Sequence, residues 1–150
     1  MIIKSFVLIE KDERYLLIQE AGYKWRGKWF LPGGNVKKHE DPAEAVIRET
    51  EEEAGCTVRL EGIFYIKFYS GLFTSKLHLF YTGTVADSRV KTYEDKHSIQ
   101  ARWFTYEEIK KLPARQKMLR IIERHRKSRE TIPVKNFKLI FFKSTLRKLI

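Results

Sequence analysis

The alternation of apolar and polar positions divides the chain into two groups of short β-rich runs with one long helical run between them. Residues 5–10 and 14–20 are apolar stretches split by Lys11-Asp12-Glu13-Arg14, which predicts two strands joined by a hairpin turn. A loop over residues 21–28 follows, and Trp29-Phe30-Leu31-Pro32-Gly33-Gly34 reads as one short strand entering a glycine turn. Beyond the helical run, residues 57–69 and 76–86 are β-rich, residues 90–95 form a polar connection, and residues 98–104 are a final strand. Thr105-Tyr106-Glu107-Glu108 has the form of a capping box opening a short helix to Leu112. Residues 113–129 predict one further helix with Met118, Leu119, Ile121 and Ile122 as its apolar stripe. Strands on both sides of a central helix, closed by C-terminal helices, predict an α/β sandwich.

The central helix is the most strongly specified element. Asp41 is an N-cap residue, Pro42 suits the first helical position, and Gly55 suits a left-handed C′ position. Between them lie about three and a half turns of good helix formers. With Glu49 at zero on a helical wheel, Ala43, Val46, Ile47, Thr50 and Ala54 fall on an arc from roughly 60° to 160°. Glu49, Glu52 and Glu53 fall on a separate arc from roughly 300° to 40°, expected to lie outside the core. Three like charges at these spacings oppose helix formation. One reading is a solvated acidic face. The other is a site for a hard divalent cation, Mg²⁺ or Mn²⁺, which prefers a few carboxylates plus substrate phosphate. Gly33 and Gly34 allow a tight loop whose backbone carbonyl can approach the same ion. Arg48 can hold a neighbouring carboxylate by a forked hydrogen bond.

The joint spacing G-x5-E-x7-R-E-x2-E-E-x-G, from Gly34 through Glu40, Arg48, Glu49, Glu52 and Glu53 to Gly55, decides between these readings. At these residues the chain resembles the Nudix (MutT-like) hydrolases, whose signature is G-x5-E-x7-R-E-U-x-E-E-x-G-U, with U a bulky apolar residue. Every fixed residue matches, over 23 of the 150 positions. The two U positions are Thr50 and Cys56, softer than usual. His39 stands where the family has Gly, and Lys37 where it often has an acid, so the loop before Glu40 is stiffer and more basic. The resemblance implies an α/β/α sandwich with mixed β-sheet over residues 2–125. It also implies metal-dependent cleavage of a nucleoside diphosphate linked to another moiety X. The metal ligands it implies are the Gly33 carbonyl, Glu49, Glu52 and Glu53, with Arg48 beside them and Glu40 bracing the loop. Many relatives place an acid just before the last strand as ligand or general base. Here His97 occupies the position next to Ser98, so the base is His97, Glu94 or Asp95.

Composition bounds the rest. The 150 residues, 43% hydrophobic and 33% charged, suit one globular domain with a substantial core. No apolar run approaches the roughly 20 residues of a membrane span. The N-terminus lacks the features of a signal peptide, and the lone Cys56 excludes an internal disulfide, so a reducing cytoplasm is expected. The net charge of +11 is local: residues 110–150 hold 14 Lys and Arg against Glu123 and Glu130 alone, a net of +12, and the other 109 residues are near neutral. Residues 1–130 therefore read as the hydrolase domain and 131–150 as its basic extension. In the extension Leu139, Phe142, Leu146 and Leu149 recur at helical spacing among Lys138, Lys143, Arg147 and Lys148. A packed terminal helix and a surface for membrane, nucleic acid or a partner protein all suit that pattern.

For substrate contact the candidates are Trp25, Trp29 and Phe68 as stacking rings and Arg26 and Lys28 as phosphate partners. The R-G-K-W-F-L-P-G-G and S-I-Q-A-R-W-F runs are most similar to family members acting on nucleoside di- or triphosphates, including oxidised guanine nucleotides. The alternatives are an RNA-directed enzyme acting on 5′-phosphorylated or capped RNA, for which the basic C-terminus would be the footprint, and a nucleotide-sugar hydrolase. A homodimer is common in the family.

Overall fold

The computed structural model describes residues 1–115 and 117–134, so the amphipathic pattern from Asn136 onward lies outside the described residues. The hairpin forms as expected from β1 (Ile2–Lys11) and β2 (Arg14–Glu20), closed by Asp12 and Glu13, which both adopt positive φ. A two-residue turn of that handedness matches the twist of the flanking strands. The run from Trp29 to Gly34 is two strands instead of one: β3 (Trp29–Phe30) pairs with β2, and β4 (Gly33–Asn35) pairs with β1. Pro32 lies at the crossing, where it has no N–H for a ladder, and its carbonyl accepts from the Val7 N–H at 2.9 Å.

Helix α1 (Pro42–Ala54) has the predicted bounds. The Asp41 side chain accepts from the Ala43 N–H, and Gly55 closes the helix at φ 70°. The strands β5 (Arg59–Tyr69), β6 (Lys76–Thr84) and β7 (Ser98–Thr105) follow within about two residues of expectation. Thr105 and Glu108 form the reciprocal capping box of the short α2 (Tyr106–Ile109). One sheet has the order β4-β1-β6-β5, with β1 parallel to β6, so it is mixed; the other, β3-β2-β7, is antiparallel. The β1–β2 hairpin joins them.

The period of two along β1 and β2 feeds two cores. Val7, Ile9, Leu16 and Ile18 pack with Val46 and Ala54 of α1. Phe6, Leu8, Tyr15 and Leu17 pack with Ile109 of α2 and with Met118, Ile121 and Ile122 of the last helix. This is the α/β/α sandwich. No helix among the described residues is long and apolar enough to cross a membrane.

Two expectations need correction. The last helix, α3 (Met118–Lys127), begins five residues later than position 113. Residues 113–115 instead extend β3: the Trp29 N–H donates to the Pro113 carbonyl and the Arg115 N–H to the Trp29 carbonyl, each at 3.0 Å. Lys117, at φ 72°, then blocks any continuous helix. At the other end α3 stops at Lys127, and Pro133 belongs to β8 (Ile132–Pro133), which pairs with the edge of β5, a position that tolerates proline. The acidic arc of α1 is also not wholly outside the core, because both sheets touch this helix. Glu53 is only 7% exposed, as buried as its apolar neighbours.

Candidate metal and phosphate site

The acidic arc resolves into two halves. Arg48 organises the first. Its Nε and Nη2 fork onto Glu40 at 2.7 and 3.1 Å, while Nη1 lies 3.1 Å from both Glu49 Oε1 and Glu52 Oε2. Nη2 also donates to the Asn35 carbonyl at 3.2 Å. Glu40 in turn accepts from the Lys37 N–H at 2.8 Å, so the loop is buckled to the helix. The Arg48 hydrogen bonds hold Glu40 below the usual carboxylate range, and Arg48 is raised in return. This guanidinium accounts for the tolerance of Glu49 and Glu52 on one helix face.

The second half has no such cation. Glu53 Oε2 accepts from the Gly33 N–H at 2.8 Å. Burial pushes Glu53 well above the usual range, opposed by that bond and reinforced by nearby Glu49. Glu49 is raised as well, by burial first, against the lowering pull of Arg48. The two glycines make the approach possible. A Cβ on Gly33 (φ 139°) would stand 2.2 Å from the Ser5 carbonyl oxygen, and one on Gly34 would stand 2.8 Å from Glu49 Oε1. A side chain at Gly33 would collide with the β1 backbone, and one at Gly34 would displace the Glu49 carboxylate.

A cavity of about 290 Å³ opens beside this pair. It is lined by the acidic Glu20, Glu49 and Glu53 and the basic Lys4, Lys96 and Arg115, together with His97 and Trp25. Arg115 is oriented by Glu20 at 2.7 Å and lies over the Phe30 ring at 4.2 Å. Burial, followed by repulsion from Arg115 and Lys76, lowers Lys4. A larger cavity, about 580 Å³, lies beyond the end of α1 against Gly55, Cys56, Asp87 and Arg89. It shares no residue with the carboxylates, and burial raises the Cys56 thiol to about 11, so it holds no reactive group.

The three candidates for the base part company. Glu94 pairs with Arg26 at 2.6 Å on the surface. Asp95 is consumed as a brace, accepting from Lys91 Nζ at 2.6 Å and from the His97 and Ser98 N–H groups at 2.8 and 3.2 Å. Those bonds hold it down to about 2. Lys91, 5% exposed, also donates to the Glu52 carbonyl, and the Ser98 hydroxyl donates to the Glu53 carbonyl at 2.6 Å, so residues 91–98 are sewn to α1. His97 alone reaches the cavity, with Nδ1 3.5 Å from Glu52 Oε2.

Of the other predicted site residues, the structure brings Gly33, Glu49 and Glu53 together and turns Glu52 toward Arg48 and His97. Among the described residues no three acidic, His or Cys side chains stand at metal-ligating spacing. Trp25 lines the cavity, whereas Arg26 is tied to Glu94 and Lys28 is exposed away from it. Trp29 is a correction: it is 4% exposed, edge-on to Phe104 at 4.7 Å, with no face free for a base. Phe68 is exposed on the face of β5 opposite Tyr65, Lys67 and Tyr69. Lys4, Glu20, Lys96 and Arg115 were not anticipated. Lys4 carried a usable signal, a charge inside an apolar strand in phase with Phe6 and Leu8.

A family model described as the NUDIX domain matches residues 4–125. The chain is 32% identical over 105 residues to "8-oxo-dGDP phosphatase NUDT18" of Homo sapiens, covering 69% of this chain and 31% of that protein. It is 30% identical over 120 residues to "Nudix hydrolase 6" of Arabidopsis thaliana, covering 75% and 41%. These alignments span less than half of either relative. The solved NUDIX hydrolase from Nitrosomonas europaea shares the fold at a TM-score of 0.78 and 23% identity, covering 91% of this chain and 95% of that one.

Proposed function

The chain belongs to the NUDIX family, and we propose that it is a divalent-metal-dependent hydrolase cleaving the diphosphate bond of a nucleoside di- or triphosphate or a related nucleoside diphosphate joined to X. The observation that carries this reading is one cavity lined by the partly buried Glu49 and the buried Glu53 together with Lys4, Lys96 and Arg115. The donor set fits Mg²⁺ or Mn²⁺: hard carboxylate oxygens, one of them from the buried Glu53, and a glycine, Gly34, that keeps a side chain off Glu49. Glu49 and Glu53 would hold the ion; bound there, it would neutralise the diphosphate oxygens and polarise the phosphorus.

The chain's own residues do the remainder. Lys4, Lys96 and Arg115 meet the non-bridging oxygens and fix the diphosphate beside Glu49 and Glu53. Arg48, locked on Glu40, sets the orientation of Glu49 and Glu52. His97, with Nδ1 turned to Glu52, would take a proton from the attacking water at its other ring nitrogen. Trp25 offers a ring at the rim for a base.

The test is a hydrolysis screen with and without Mg²⁺ over nucleoside di- and triphosphates, nucleotide sugars, dinucleoside polyphosphates and 5′-capped RNA. The activity named for the human relative makes oxidised guanine diphosphates the first compounds to try. Metal-dependent release of two phosphate-bearing products is expected. Turnover that survives a chelator, or none with any diphosphate, would overturn the assignment.

A further inference from the structure

A second cleft, about 240 Å³, lies between β5 and α3 and is lined by Lys67, Lys117, Arg120 and Arg124 with Tyr65 and Tyr69. No carboxylate lines it. Among the described residues none of its four cations is in an ion pair. Three of them lie on tyrosine rings: Lys67 Nζ is 4.8 Å and Lys117 Nζ 5.7 Å from the Tyr69 centroid, and Arg124 Cζ is 4.3 Å from that of Tyr65. Arg120 and Arg124 are one turn apart on α3, a like-charge spacing that opposes the helix unless an anion relieves it. Residues 135–150 contain no Asp or Glu that could serve.

This cleft and the carboxylate cavity share one sheet face. Asn35 of β4 is in register with Lys4, Lys4 with His78, and His78 with Lys67. Phe6, which lines the first cavity, stacks on Phe80, which lines the second, at 5.3 Å. Lys4 and Lys67 are therefore two strand spacings apart, about 10 Å. That separation exceeds the reach of neighbouring phosphates within one anhydride. His78, between them, is lowered to about 4, by burial first and then by Lys4, Arg115, Lys76 and Lys67. Its buried Nε2 has no hydrogen-bond partner among the described residues.

We propose that the Lys67–Lys117–Arg120–Arg124 cleft binds a second phosphate carried on the nucleoside side of the substrate, separate from the scissile diphosphate, so that preferred substrates carry this distal phosphate. The identity of the scissile bond rests on the hydrolase reading above; the cleft's ligand does not. Its source is either a phosphorylated small molecule or the first phosphodiester of an RNA 5′ end.

The test is calorimetric binding of a nucleoside 3′,5′-bisphosphate against the same nucleoside 5′-monophosphate, in Mg²⁺, with the full chain. A preference for the bisphosphate of at least tenfold is expected. The double variant Lys67→Gln/Lys117→Gln should lose most of it with 5′-monophosphate affinity unchanged, and Lys67→Arg/Lys117→Arg should retain it. Equal affinity for the two ligands in the native chain, or a preference untouched by the Gln pair, overturns the proposal. A Gln pair that fails to fold leaves the native preference and the Arg pair to decide.

Turnover of a nucleoside triphosphate, its 3′-phosphate and a 5′-triphosphate dinucleotide then separates the sources. A gain for both phosphorylated forms supports the small molecule; a gain for the dinucleotide alone supports RNA. If none is hydrolysed, the hydrolase reading fails while the binding result on the cleft stands.

Discussion

Glu52 and Glu53 are adjacent residues of one helix and of one motif, yet their surroundings are opposite. Glu52 is partly exposed, held by Arg48, and backed by His97. Glu53 is buried, with the Gly33 N–H as its hydrogen-bond donor and Glu49 as a like-charged neighbour. A carboxylate in the first setting is satisfied by the protein alone. One in the second is raised by burial and gains most from a bound cation. Sequence spacing treats the pair as equivalent, and the tertiary structure gives Glu52 an arginine partner and buries Glu53.

The sharpest way to break this comparison is Glu53→Gln. Turnover should fall at least about a hundredfold, the scale of roughly 3 kcal/mol of lost charge stabilisation. The metal-free fold should be no less stable, since a costly buried charge is removed. Near-native turnover in the folded variant would remove Glu53 from the metal site.

Arg48→Ala comes next, because it leaves Glu40, Glu49 and Glu52 without their shared cation. Loss of charge-assisted hydrogen bonds of this kind costs about 1.5–3 kcal/mol. A fall in melting temperature together with weaker metal binding is expected; an unchanged melting curve would show that the buckle is not structural.

Glu52→Gln should be milder, on the order of tenfold in kcat, as it loosens His97 and Arg48 while leaving Glu49 and Glu53 in place. Losses equal to those of Glu53→Gln would erase the distinction between the two halves.

The smallest effect belongs to Asp95. Its folded pKa of about 2 lies below its usual 3.8, so its contribution is full above that usual value and is lost as pH falls through about 2. Asp95→Asn should flatten acid unfolding across that window and lower kcat modestly by freeing the loop that carries His97. Acid unfolding that keeps its native slope would show that Asp95 does not hold this loop.

The same contrast explains what was legible in the sequence. Helix α1 was readable to the residue because Asp41, Pro42 and Gly55 act within a few positions of the bonds they cap. A fork from Arg48 onto a carboxylate was readable, but its partner Glu40 was not, since it lies eight positions back in the loop before the helix. The burial of Glu53 was not, since it depends on β4 and Ser98 closing over a helix face whose own pattern is polar. Nor was the late start of α3, which yields Pro113 and Arg115 to a bridge with Trp29, over 80 positions away. Arg115 and Glu20 meet across 95 positions, and nothing local to either marks them as a pair.

The central claim is that Glu53 and Glu49 hold a divalent cation while Glu52 does not need to. With folded pKa values raised above the usual 4.5, both ligands make the metal-free fold lose stability as pH rises through those values. The direct measurement is melting temperature at pH 8 as Mg²⁺ is titrated into the native chain, Glu53→Gln and Glu52→Gln. A saturable rise in the native chain and in Glu52→Gln, absent in Glu53→Gln, is the predicted result. An equal rise in Glu53→Gln would contradict it.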